Sequence, residues 1–142
     1  MKAEKTAVMA GKEATRSGDR PILVAGGLVV DPVNGRDGVS DVLIEGGRVA
    51  RVAKDIKVDN AVNVDATDKV VTPGLIDMHV HLREPGREDE ETIETGSLAA
   101  AAGGFATVVC MPNTDPPVDH ASVVELIIDK ARERGRVNIR VV

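Results

Sequence analysis

The chain has 142 residues, 42% of them hydrophobic and 29% charged, with a formal net charge of -5. That balance fits a folded globular protein of about one domain. Its scattered Lys and Arg residues exclude a basic nucleic-acid surface, and no apolar run approaches the roughly 18 residues of a membrane span. With one Phe and no Tyr or Trp, the core must be aliphatic. One cysteine, Cys110, excludes an internal disulfide framework. The first twenty residues lack the apolar segment of a secretory signal, so the expected setting is the cytoplasm.

Residues 1–20 have no sustained periodicity and read as a flexible leader. Residues 21–72 read as a small β domain of short strands and glycine turns. Runs 22–25 and 28–30 flank Gly26-Gly27, and runs 42–44 and 49–52 flank Gly46-Gly47. Both pairs are expected to be hairpins, because two-residue glycine turns between apolar runs favour them. Residues 62–64 and 70–71 add further strands, in a sandwich-like unit.

The texture changes at Pro73-Gly74. Residues 75–82 predict a buried strand, and 88–102 a helix with acidic residues in its first turn, stopped by Gly103-Gly104. Residues 105–111 are continuously apolar, which is the pattern of a parallel strand covered on both faces. A loop at 112–117 leads to a second helix over 120–134, with Val123, Val124, Ile127 and Ala131 on one face. Residues 137–142 begin a third strand. The alternation predicts parallel α/β architecture.

The chemistry concentrates in Asp77-Met78-His79-Val80-His81-Leu82-Arg83. Side chains on a strand alternate with a period of two, so His79 and His81 share a face with Asp77, and Arg83 continues that register. Two imidazoles spaced i and i+2 at a strand end can converge on a divalent metal such as zinc. His120, near a helix start, reads as exposed, and Cys110 as a small apolar residue.

Three segments in order resemble the dihydroorotases of the amidohydrolase superfamily. They are the stretch from Pro73-Gly74 through His79 and His81 to Pro85-Gly86, residues 91–105, and Met111-Pro112-Asn113-Thr114. The resemblance implies that residues 73–142 are the first βα units of an incomplete, metal-dependent (β/α)8 TIM barrel. A complete barrel takes about 250 residues. It implies His79 and His81 as metal ligands for one or two zinc ions, and Arg83 and Asn113 as binders of the substrate carboxylate. Asp77 would orient a histidine. The remaining ligands and a general-base aspartate are expected beyond Val142.

The implied reaction is the reversible interconversion of dihydroorotate and N-carbamoyl-L-aspartate in pyrimidine biosynthesis. The chain alone, as a fragment, is expected to be inactive. An allantoinase or hydantoinase shares the His-x-His strand and remains an alternative. So does a non-catalytic partner of aspartate carbamoyltransferase. The expected partners are a small anionic substrate and either a second copy of the chain or that transferase.

Overall fold

The computed structural model describes residues 20–142, so the expected leader lies outside the described residues except for Arg20. The chain forms two compact units, divided between Pro73 and Gly74. No described helix is long and apolar enough to cross a membrane.

The first unit is one five-stranded mixed sheet. Its strands are β1 (Ile22–Asp31), β2 (Arg36–Glu45), β3 (Arg48–Ala53), β4 (Val62–Asp65) and β5 (Val70–Val71). The order is β3-β2-β1-β4, with β5 also on β1. The sandwich-like arrangement expected from sequence is not what forms. The short β4 and β5 lie one after the other along the same edge of β1, both parallel to it, and extend one sheet. Leu23, Leu43 and Ile56 are its buried centre.

The two glycine pairs behave differently. At Gly46-Gly47 the expected hairpin forms: Glu45 pairs with Arg48, and both glycines have positive φ, 55° and 69°. At Gly26-Gly27 there is no turn. β1 runs straight through, and a bulge shifts its register against β2 between Val24 and Gly27. The Asp41 carboxylate holds the bulge, accepting from the Gly26 amide at 2.8 Å and the Ile56 amide at 2.9 Å. The chain reverses later, in a 3-10 turn over Pro32–Asn34.

The second unit is a parallel sheet of β6 (Leu75–Val80), β7 (Phe105–Cys110) and β8 (Asn138–Val141) in that order. Helix α1 (Ile93–Ala102) joins the first two strands and α2 (Ala121–Arg134) the last two. Leu82, Ile93, Cys110, Val123 and Ile127 form one core cluster between helices and sheet. Full burial of a side chain such as Ile93 contributes about 1.5–3 kcal/mol.

The expectation that β6 is buried fails. Among the described residues β6 is an edge strand of its sheet, and its Leu75, Ile76 and Met78 are exposed.

Helix α1 starts later than its acidic run suggests. Thr92 caps it, accepting from the Thr95 amide at 3.1 Å while Thr95 Oγ1 accepts from the Thr92 amide. Residues 88–90 form turns instead, with Asp89 and Glu90 engaged by arginines. His120 is exposed and caps α2: its Nδ1 accepts from the Ser122 amide at 3.3 Å.

Candidate metal and substrate site

The site lies at the C-terminal end of β6, with His79 on the strand and His81 just past it. The strand is bulged there, since its register against β7 shifts between Asp77 and Val80. The Asp77 carboxylate accepts from the His79 backbone amide at 2.9 Å. It holds the main chain, and among the described residues the His79 ring has no hydrogen-bond partner. Simple alternation is therefore broken at the residues where the sequence argument relied on it. The two rings still meet: the His79 and His81 centroids are 5.2 Å apart, with planes at 65°. Both residues are exposed.

Asn113 follows β7 and reaches the same place. Its Oδ1 lies 2.8 Å from His81 Nδ1. An amide oxygen only accepts, so in this orientation Nδ1 is the donor, and in the neutral ring Nε2 is then the nitrogen with the lone pair. Metal-binding histidines commonly have this arrangement, with one ring nitrogen donating to a carbonyl and the other turned to the metal. Two imidazoles of this kind could supply two of the four positions of a tetrahedral zinc site. Among the described residues, no group of three His, Cys, Asp or Glu side chains could hold a metal ion.

Arg83 is placed differently from the sequence expectation. The strand has ended at Val80, and Arg83 adopts a left-handed φ of 60°, so it does not continue the register. Its Nε pairs with Glu90 Oε2 at 3.2 Å, and Glu90 also meets the Arg87 guanidinium. Glu90 thus engages one edge of the guanidinium through Nε, in an exposed pair of the kind that contributes little stability.

Two residues carry more of the local structure than the sequence indicated. Glu84 is buried, 5% exposed, between Arg83 and a tight loop at Pro85-Gly86. Its Oε2 accepts from the Ile93 amide at 2.8 Å, at the N-terminus of α1, and its Oε1 pairs with Lys130 of α2. Nothing in local pattern links two residues 46 positions apart. Burial raises the Glu84 pKa, but the hydrogen bonds from Lys130 and Ile93 and the charges of Lys130 and Arg134 outweigh it. The group is left below its ordinary 4.5.

Such a carboxylate adds stability above its unfolded pKa and loses it as pH falls through the folded one. Glu84→Gln is expected to flatten the acid limb of the stability curve below about pH 4.5. Urea unfolding at a series of acid pH values checks this, and identical slopes for variant and parent would refute it. Burial pushes the Cys110 thiol up, in keeping with its place as a core residue.

A small mixed sheet followed by parallel strands joined by helices, with paired histidines at the end of the first of them, is the arrangement of the amidohydrolase class of α/β proteins. Residues 68–142 match the dihydro-orotase-like family, and the chain belongs to it. The dihydroorotase of Solibacter usitatus is 52% identical over 119 residues, 84% of this chain and 28% of that protein. That of Acetivibrio thermocellus is 48% identical over 118 residues, 83% of this chain and 28% of the relative. The L-hydantoinase (dihydropyrimidinase) structure from Arthrobacter aurescens superimposes with a TM-score of 0.76 at 27% identity, covering 84% of this chain and 27% of that one. The chain thus spans a little over a quarter of the length of these relatives.

Proposed function

We propose that residues 20–142 supply the first part of a dihydroorotase active site, within a (β/α)8 barrel whose opening strands are β6, β7 and β8. The observation that carries this reading is the pairing of His79 with His81 and the fixing of the His81 ring by Asn113. His79 and His81 would hold zinc, one or two ions, with further ligands and a general-base aspartate from residues beyond these 142. The 142-residue chain alone would not complete the site. Zinc, when bound, supplies Lewis-acid polarisation of a carbonyl and lowers the pKa of water to about 7.

The chain's own contribution is to bind and orient. Dihydroorotate and N-carbamoyl-L-aspartate are anions, and a guanidinium grips a carboxylate through two parallel N–H bonds. Arg83 would do so after exchanging Glu90 for the substrate, and Glu90 would keep Arg87 as its partner. Asn113 stands beside His81, where an amide can serve ring and substrate together.

A hydantoinase reading is favoured by the structural likeness. Against it stand the higher identity to dihydroorotases and an arginine suited to a carboxylate that a simple hydantoin lacks.

In the full-length enzyme carrying these residues, Arg83→Met is expected to raise KM for dihydroorotate about 10- to 100-fold, the scale of a lost charged hydrogen bond. Zinc content should stay unchanged. Steady-state kinetics with elemental analysis checks this. Unaltered KM and kcat would remove the carboxylate-binding role, and faster turnover of hydantoin than of dihydroorotate would favour the second reading.

A further inference from the structure

We infer that the Glu84–Lys130 pair is a positioning device for Arg83, an inference that rests on Arg83 binding the substrate carboxylate. Glu84 is the only buried charged side chain among the described residues. A carboxylate buried against a half-buried lysine is a poor choice for stability alone, because apolar residues of similar volume often do as well. Its geometry suggests another use. One oxygen takes the first amide of α1 and the other takes Lys130 of α2, so a single carboxylate ties the Arg83 loop to both helices.

The loop needs such a tie. Arg83 sits in the left-handed region, at φ 60°, which non-glycine residues adopt only when their surroundings impose it. Its neighbours impose it from both sides: Leu82 is buried in the helix–sheet core, and Glu84 is buried on the helices. The Glu84 amide also donates to Leu82 O at 2.7 Å, closing a tight turn around Arg83. Between two fixed neighbours, Arg83 keeps its left-handed turn, which holds its side chain in the direction of Glu90. If Lys130 released Glu84, Arg83 could relax to an ordinary extended φ and its guanidinium would swing away from that direction.

Lys130 touches none of the residues proposed to hold metal or substrate, so its replacement tests positioning. In the full-length enzyme, Lys130→Met is expected to raise KM for dihydroorotate about tenfold through misplacement of Arg83. We expect kcat within about twofold and unchanged zinc content, since the ligand pair is untouched. Lys130→Arg, which keeps the charge, should restore most of the affinity.

A purely structural pair would lower thermal stability and leave KM alone, and that outcome overturns the inference. If Lys130→Met does not fold, Glu84→Gln decides by the same readout. It keeps an oxygen for the Ile93 amide and loses the charge. A raised KM then supports the device and an unchanged KM overturns it. Arg83→Met separates the two levels. If it raises KM while Lys130→Met does not, only the positioning role falls. If it too leaves KM unchanged, the carboxylate-binding reading falls and the positioning role with it.

Discussion

Replacing His81 with alanine in the full-length enzyme is expected to reduce kcat/KM for dihydroorotate by on the order of a thousandfold or more. Purified protein should lose zinc in parallel. The reason lies in the donor set. His79 and His81 would be two nitrogen ligands at one strand end, and their ring centroids are 5.2 Å apart. Removing one leaves an incomplete set that added zinc cannot repair at ordinary concentrations. His79→Ala should behave alike.

Asn113→Ala provides the contrast. It leaves both rings in place and removes the oxygen that lies against His81 Nδ1. Losing such a supporting partner typically weakens metal affinity about 10- to 100-fold. Zinc titration against a competing chelator, run beside steady-state kinetics, distinguishes the cases. Full zinc occupancy and full activity in His81→Ala would exclude the metal role of this strand.

The second large effect is expected at Gly86. This residue has φ 106°, and a Cβ built on it would lie 2.2 Å from the Asp115 carbonyl oxygen and 2.6 Å from the Asp115 Cβ. The obstacle is backbone, which cannot rotate away like a side-chain tip. The approach also has a purpose: the Asp115 amide donates to Pro85 O at 3.0 Å, joining the loop after β6 to the loop after β7. Arg83 stands on the first loop and Asn113 on the second.

Gly86→Ala combines an adverse φ with a main-chain collision, and is expected to cost about 3 kcal/mol or more. The check is the urea midpoint of the full-length protein, with the m value verified as unchanged. A midpoint within error of the parent would mean that the two loops do not meet in this way. Where the variant folds, KM for dihydroorotate should rise, because both loops shift.

Features set by neighbours in the chain were readable from sequence alone. Gly46-Gly47 turns a hairpin because two adjacent glycines can take positive φ there, and that property needs no distant partner. The alternation of strands and helices after Pro73 was legible for the same reason. The spacing of His79 and His81 placed their rings together, although a bulge lies between Asp77 and Val80.

Other features depended on residues far along the chain, and local pattern was silent on them. Gly26-Gly27 carries the same dipeptide as the hairpin, yet a Cβ on Gly27 would meet Val71 Cγ2 at 2.5 Å. Contact with β5 and the Asp41 carboxylate makes that pair a bulge. The start of α1 was set by the Thr92 cap and by Glu84, while the more conspicuous acidic run went to arginines. Arg83 left the strand register because its neighbours are buried on either side.

The residue types at the strand end, and hence the chemistry available there, were determined by the sequence through local spacing. The left-handed turn at Arg83, its pairing with Glu90, and the buried charge that supports its loop were decided by tertiary structure. Each depends on a contact between segments whose separation only folding closes, as between Glu84 and Lys130.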